Sequence, residues 1–333
     1  MKLDRHHIAL GAIFGMLALS VFLAIPQAIG TQNELAVTPE DHAAALNEPN
    51  NRSQPSPYIK ASDIVTQNGA RRLALRSGVA LVMDTREGVM LYERNADQQR
   101  PIASLTKLMT ALVVLDAGLP LNEAIAITKE DRDTLRGTRS RLPFGSVYTR
   151  LDILHAALAA SDNRAAASLA RTYPGGKEVF VQAMNAKAQQ LNMLNTRFAD
   201  ASGLDSNNVS TARDLAKLMA AVDKHPLFHQ LTTTASFGVT DLGTGKQVAF
   251  VNTNRLARTG SWEIELSKTG YTAAAGNCIA MQTTINSRPL TIVLLNSWGK
   301  LDKFGDSVRI RDWLTQTERR ISTQHSIVAR IES

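Results

Sequence analysis

A serine and a lysine three residues apart open the most apolar helical segment of the chain. The stretch RPIASLTKLMTALVVLDAG (100–118) predicts a helix from Ser104 to about Asp116, with Ser104 at its N-cap. On a helix this spacing places Ser104 and Lys107 on neighbouring positions of one face. A lysine in the first turn opposes the helix dipole, whose N-terminal end carries partial positive charge. The pair therefore indicates chemistry as well as structure.

The chemistry open to this pair is nucleophilic attack by the serine with the lysine as its base. A lysine amine accepts a proton only when neutral, so its pKa must fall from about 10.4. Burial, the positive helix terminus and a second nearby cation all lower it. A neutral Lys107 could take the proton of Ser104 during attack on a carbonyl, and the Ser104 N–H could stabilise the oxyanion. The simpler interpretation is a solvated lysine in a first helical turn.

Two further motifs could complete such a site. S-D-N at 161–163 lies between two helical segments, where serine and asparagine otherwise act as caps. K-T-G at 268–270 lies on a predicted strand, where a lysine otherwise faces solvent. Its glycine could allow another chain, such as a peptide substrate, to approach closely. Each motif alone is weak, since S-x-x-K recurs at 297–300 and S-x-N at 206–208. Together and in this order they form the set of the penicillin-interacting serine acyltransferases.

The surrounding sequence predicts the elements that would position these motifs. β-rich runs at 78–84 and 88–94 predict a hairpin around TREG, and helical patterns dominate from about 120 to 234. Further helices are predicted at 151–161, 176–193, 211–222 and 303–320, and further strands at 236–240, 246–252, 264–270, 277–286 and 290–296. We predict an α/β (α+β) fold, in which N- and C-terminal strands form one antiparallel sheet flanked by helices, with an inserted helical subdomain.

The N-terminal segment predicts export. Lys2 and Arg5 precede an uncharged apolar run, Ile8–Ile25, and Ala28 follows as a small residue suited to cleavage. The run is long for a signal peptide and just long enough to span a bilayer. Residues 1–30 are therefore either a cleaved signal peptide or a membrane anchor, and both place the body in the periplasm.

The remaining domain boundaries follow from composition. Residues 31–70 are polar and contain several prolines, so we expect a disordered linker. Residues 71–320 are predicted to form the catalytic domain, and 321–333 a short C-terminal tail.

Composition also limits the functional classes. The net charge of +7 is scattered, without a basic run, which favours an anionic polymer or surface as partner over nucleic acid. The single cysteine, Cys278, excludes internal disulfides and CxxC sites, and its strand-like context predicts burial. The histidines are dispersed without HExxH, and Pro226 interrupts the pair His225 and His229. We expect neither a metal nor a cofactor.

The sequence around the three motifs resembles the low-molecular-mass penicillin-binding proteins, most closely their D-alanyl-D-alanine endopeptidase branch. The similarity covers roughly residues 75–315 and includes RPIASLTKLMTALVVLDAG, SDNRAAASLARTYPGG, MNAKAQQLNMLNTRF, VSTARDLAKL, NTNRL and SKTGYTAAAGNC. The resemblance implies a periplasmic serine hydrolase of cell-wall remodelling. Such an enzyme cleaves D-Ala–diaminopimelate cross-links between peptidoglycan stem peptides through an acyl-enzyme, and β-lactams inhibit it covalently.

The resemblance also assigns roles to the residues of the first two motifs. Ser104 would be the nucleophile and Lys107 its base. Ser161 would relay the proton towards the leaving amine, and Asn163 would hydrogen-bond the substrate backbone.

On the strand, the resemblance assigns substrate binding. Lys268 would set the local potential, and Thr269 would bind the carboxylate beside the scissile bond. Gly270 belongs to the same motif, and Tyr271 would supply the second oxyanion N–H from its backbone.

Three alternatives remain at this point. A D,D-carboxypeptidase would use the same site, although that branch usually appends a β-rich domain and an amphipathic membrane helix, neither of which we detect. A class A β-lactamase would need a carboxylate base in an E-x-x-L-N context, which Glu178, Glu263 and Glu265 lack. A non-hydrolytic sensor of penicillin or peptidoglycan would share every binding group.

Overall fold

The computed structural model describes residues 58–68 and 73–331. Within these residues the chain forms both α-helices and β-strands. The helices are α1 (Ala61–Asn68), α2 (Thr106–Asp116), α3 (Arg150–Leu158), α4 (Asn163–Arg171), α5 (Gly176–Gln190), α6 (Ala212–Val222), α7 (Pro226–Thr233), α8 (Arg255–Thr259) and α9 (Asp302–Ile331). The strands are β1 (Ser77–Asp84), β2 (Val89–Arg94), β3 (Arg100–Pro101), β4 (Ala124–Ala126), β5 (Val147–Thr149), β6 (Val209–Ser210), β7 (Ser236–Thr240), β8 (Gln247–Val251), β9 (Glu263–Thr272), β10 (Gly276–Ile285) and β11 (Arg288–Ser297).

A five-stranded antiparallel sheet of order β2-β1-β11-β10-β9 organises the fold. The first strand of the body therefore pairs with the last, and the helical segments α2 to α7 are inserted between them, as predicted. The strands β7 and β8 pair only with each other, so this hairpin stands apart from the main sheet.

Both faces of the central strands are buried, because alternate residues enter two different cores. On β1, Val79 and Leu81 belong to the core shared with the helical insertion, whereas Ala80 and Val82 belong to the core shared with α1 and α9. Strands that are buried on both faces have continuous apolar sequences, and this pattern predicts them from the sequence. Cys278 on β10 is fully buried, as predicted, and burial raises the pKa of its thiol to about 11.

The central helix begins later than predicted. Ala103–Leu105 form a 3-10 turn and α2 starts at Thr106, so Ser104 is not an N-cap, and no side chain caps the helix. The Ser104 hydroxyl lies instead against the amine of Lys107. As expected from its composition, α2 is buried along most of its length, from Thr106 to Val114.

The predicted linker is wrong at its C-terminal end. Within α1, Ala61 and Ile64 are fully buried against the sheet. The guanidinium of Arg288 on β11 donates to the Tyr58 hydroxyl and the Ile59 carbonyl, which fixes this segment to the body. Two buried apolar residues in an otherwise polar stretch do not form a pattern from which a packed helix can be predicted. The rest of the predicted linker, residues 31–57 and 69–70, lies outside the described residues.

The C-terminal tail is also helical rather than a separate segment. α9 continues to Ile331, since no glycine or proline interrupts residues 321–331 and Ile321 is buried in the second core. None of the helices in the described part of the chain is long and apolar enough to span a membrane. The predicted signal peptide or anchor, residues 1–30, lies outside that part.

Candidate active site

Ser104 lies on a strained turn between β3 and α2. Ala103, the residue before it, has a φ of +47°, in the left-handed region that non-glycine residues rarely adopt. The Thr106 hydroxyl donates to the Ala103 carbonyl at 2.8 Å and holds this conformation. Such strain persists only where the surroundings impose it, and it is common at functional sites.

Two glycines lie close to this turn. A Cβ atom on Gly203 would lie 1.9 Å from the carbonyl oxygen of Ala103, and one on Gly270 would lie 3.0 Å from the backbone nitrogen of Ser104. The close approach expected at Gly270 is therefore real, but the approaching chain is the protein's own Ser104 turn. Gly270 thus sets the distance between β9 and the backbone N–H of Ser104.

Lys107 is fully buried, with its amine between three oxygen atoms. Its Nζ donates to the carbonyl of Ser202 at 2.6 Å and to Oδ1 of Asn163 at 2.7 Å, and it lies 2.9 Å from Oγ of Ser104. The first two oxygens only accept, so they occupy two N–H groups. A neutral amine has two N–H groups and one lone pair, which leaves the lone pair for the Ser104 hydroxyl.

Burial lowers the pKa of Lys107 to about 8, although the nearby carboxylates of Asp200, Asp162 and Asp133 oppose this shift. The direction is the predicted one, and burial is the principal one of the three causes expected from the sequence. Lys268 is buried too, and burial together with the charge of Lys107 lowers its pKa well below the usual range. The amine of Lys268 donates to the carbonyl of Thr269 at 3.0 Å.

An open cavity of about 1020 Å³ brings most of the predicted residues together. Of the eight, six line it: Ser104, Ser161, Asn163, Thr269, Gly270 and Tyr271. Lys107 and Lys268 are buried out of contact with solvent. Residues from three separate motifs thus line one cavity.

The remaining cavity residues differ in how firmly they are held. The Thr269 hydroxyl donates to the Thr253 hydroxyl at 2.8 Å, whereas Tyr271 is 65% exposed. Ser161 has a φ of +60°, which makes it a second strained residue at the cavity. Asn163 is the first residue of α4, directly after the Asp162 N-cap.

Sequence reasoning missed the loop that orients Asn163. The Asn163 Nδ2 donates to Oγ1 of Thr138 at 2.9 Å, and the Thr138 hydroxyl donates to Oδ2 of Asp133 at 2.7 Å. A carboxylate only accepts, so the hydroxyl must accept from the amide nitrogen, and the amide oxygen must face Lys107. Both ends of the Asn163 amide are therefore engaged within the protein, and its contact with substrate stays a prediction.

A second missed group is Asp200, in the loop after α5. Its Oδ1 accepts from the N–H groups of Ser202 and Gly203, both at 2.6 Å, and its Oδ2 from that of Asp205 at 2.7 Å. The loop thereby presents the Ser202 carbonyl to Lys107. An aspartate followed closely by serine and glycine typically forms such a turn, but nothing in that pattern places it beside Lys107.

His225 and His229 lie at the start of α7 and within it. His225 is the N-cap residue of α7, with Pro226 in the first turn, and His229 contacts Asp223. Within residues 58–68 and 73–331, no group of histidine, cysteine and acidic side chains could hold a metal ion.

The sequence of this chain is similar to those of known proteins. The family model for peptidase S11, D-alanyl-D-alanine carboxypeptidase, matches residues 65–299. A D-alanyl-D-alanine endopeptidase of Pseudomonas aeruginosa is 50% identical over 240 residues, which cover 72% of this chain and 77% of that protein. A D-alanyl-D-alanine endopeptidase of Escherichia coli K12 is 45% identical over 240 residues, with the same coverage.

The fold leads to the same group of proteins. The crystal structure of the Streptomyces K15 DD-transpeptidase superposes with a TM-score of 0.68 at 26% identity, covering 73% of this chain and 98% of that one. The resemblance seen in the sequence is thus confirmed. The chain belongs to the peptidase S11 family of serine D,D-peptidases.

Proposed function

We propose that this protein is a serine D,D-endopeptidase that cleaves D-Ala–diaminopimelate cross-links between peptidoglycan stem peptides. The observation that carries the proposal is the buried Lys107 amine, which donates to two acceptor oxygens and lies 2.9 Å from Oγ of Ser104. In the neutral amine, only the lone pair is then left for the Ser104 hydroxyl. Attack by a serine requires a nearby base that is held in position and whose pKa lies close to neutral pH.

In the acylation step, Lys107 takes the hydroxyl proton of Ser104 while Oγ bonds to the D-Ala carbonyl carbon. The backbone N–H groups of Ser104 and Tyr271 stabilise the resulting oxyanion. When the tetrahedral intermediate collapses, the C–N bond breaks and the proton passes from Lys107 through the Ser161 hydroxyl to the leaving amine. Water then hydrolyses the ester, with Lys107 again as the base.

The other predicted residues bind rather than react. Thr269 hydrogen-bonds the carboxylate beside the scissile bond, and Lys268 sets the potential there. Asn163 positions Lys107 and meets the substrate backbone when substrate displaces one of its present partners. Gly270 keeps β9 close enough to the Ser104 turn for both oxyanion donors to converge. A Cβ atom at this position would lie only 3.0 Å from the Ser104 nitrogen, which supports this role.

The cellular setting follows from the sequence. Residues 1–30 export the protein to the periplasm as a signal peptide or an anchor. The net charge of +7 suits an acidic polymer such as peptidoglycan. β-Lactams acylate Ser104 because their carbonyl mimics that of D-Ala.

Removal of terminal D-Ala is the second candidate activity, since the family is described by its carboxypeptidases whereas the two relatives named above are endopeptidases. The chemistry is the same for both, because the diaminopimelate amine donor keeps a carboxylate beside the scissile bond. A penicillin-binding sensor would share the binding residues but would not turn over.

Purified protein incubated with cross-linked muropeptide dimers distinguishes these functions. An endopeptidase releases monomers, and Ser104→Ala abolishes this activity without unfolding the protein. Cleavage of pentapeptide alone would establish the carboxypeptidase. Intact dimers and pentapeptides combined with penicillin labelling of Ser104 would establish the sensor.

A further inference from the structure

Four basic residues line the active-site cavity, and we call this part of its lining the outer wall. Starting from Ser104, the cavity extends to Arg255 and Arg258 on α8 and to Lys300 and Lys303 around the start of α9. None of the residues that line this cavity is acidic. A cavity lined by charge of one sign concentrates ligands of the opposite sign.

These charges are available to a ligand. Arg255 and Lys300 are exposed and form no ion pair with any residue that the structure describes. Arg258 uses one N–H of Nη1 on the Asn252 carbonyl at 2.8 Å, which leaves the rest of its guanidinium open. Lys303 is buried and donates to Oδ1 of Asn277, so it adds positive potential from beneath the surface.

The acidic residue next to this wall in sequence is already engaged elsewhere. Asp302 accepts from the backbone N–H of Gly299 at 2.7 Å and from Arg76 at 3.2 Å. It lines a neighbouring cavity rather than the one that contains Ser104. The positive charge of the outer wall is therefore not neutralised from this side.

Large apolar side chains stand between the basic ones. Trp298 is 91% exposed, Tyr271 65% and Leu301 56%, and all three line the cavity. Exposed apolar groups clustered at a cavity mark a binding surface rather than an ordinary surface. A fitting ligand is anionic and also has aliphatic segments, as an acidic peptide does.

We propose that the outer wall binds the second stem peptide of a cross-linked substrate, on the amine side of the scissile bond, through the carboxylates of that peptide. This proposal rests on the endopeptidase function proposed above and explains how one site could prefer a cross-link. A leaving group that is a terminal D-Ala has only one carboxylate, which lies beside the scissile bond. A second stem peptide continues for several residues, at about 3.3–3.6 Å each when extended, and carries further carboxylates.

The test compares two substrates on matched variants. Arg255→Gln with Lys300→Gln removes the two exposed, unpaired charges, and Lys224→Gln with Lys246→Gln removes two exposed charges that line no part of this cavity. We measure kcat/KM for muropeptide dimers and for pentapeptide monomers. An exposed charge contact contributes little on its own, so the two charges are removed together. The first pair of substitutions is then expected to lower the dimer-to-monomer ratio of kcat/KM by about tenfold. The control pair should leave this ratio unchanged.

A chemical control identifies the groups that are recognised. Wild-type protein should cleave dimers whose second stem peptide has amidated carboxylates about tenfold more slowly, and raised salt should reduce cleavage of the unmodified dimer. If wild-type protein cleaves dimers but the ratio is the same in both double variants, the outer wall is not a stem-peptide site. If wild-type protein acylates with penicillin but cleaves no dimers, the proposed function itself fails.

Discussion

The hydrogen-bond chain from Asp133 to Lys107 gives a sharp prediction at a residue outside the motifs. Thr138→Val keeps the shape of the side chain and the backbone N–H bond from residue 138 to Asp133, but removes the hydroxyl that accepts from Asn163 and donates to Asp133. The loss of one such hydrogen bond costs about 1 kcal/mol. The Asn163 amide can then rotate and place its NH₂ group against Nζ of Lys107, which costs about 1 kcal/mol more. Together, about 2 kcal/mol corresponds to an acylation rate about 30-fold lower.

The assay is the second-order rate constant for acylation by a fluorescent penicillin, measured beside Tm. Thr138 is exposed, so water can replace its lost partners and the free energy of unfolding should fall by no more than about 1 kcal/mol. Thr138→Ser keeps the hydroxyl and should acylate within about twofold of wild type. Equal rates for wild type and Thr138→Val would refute the reasoning, as would a serine variant that is as slow as the valine variant.

Three further predictions concern the reacting groups. Lys107→Arg should lower acylation by about 10²- to 10⁴-fold, because arginine cannot act as a base; near-normal penicillin labelling would show that Lys107 acts by its charge alone. Gly270→Ala should slow acylation by about tenfold, since its Cβ would lie 3.0 Å from the Ser104 nitrogen, whereas Gly238→Ala in β7, with its nearest atom at 4.0 Å, should not. The acylation rate should rise with pH and level off above the pKa of Lys107 at about 8, because the neutral amine is the reactive form. A rate that falls over this range would contradict that assignment.

The sequence predicted those features that depend on local periodicity and on residue type. The β1–β2 hairpin, the buried α2 and the long C-terminal strands were confirmed because continuous apolar runs mark elements buried on both faces. The motifs converged on one cavity because each lies at the end of an element or on the strand nearest the Ser104 turn.

What the sequence could not predict depends on contacts between distant segments. Tyr58 and Ile59, which lead into α1, are held by Arg288, more than two hundred residues away, and no local pattern indicates that pairing. Likewise, Thr138 and Asp133 lie in a polar loop without a motif, and only the folded chain brings them to Asn163. Burial was among the causes expected for the lowered pKa of Lys107, but its dominance depends on everything that packs around the amine in the fold.

The most direct test of the central claim is rapid-quench mass spectrometry of the protein during cleavage of muropeptide dimers. The account predicts an acyl adduct of the donor stem peptide on the proteolytic fragment that contains Ser104, absent in Ser104→Ala, together with release of the second stem peptide. Cleavage of dimers without an adduct at Ser104, or with an adduct on another residue, would contradict it.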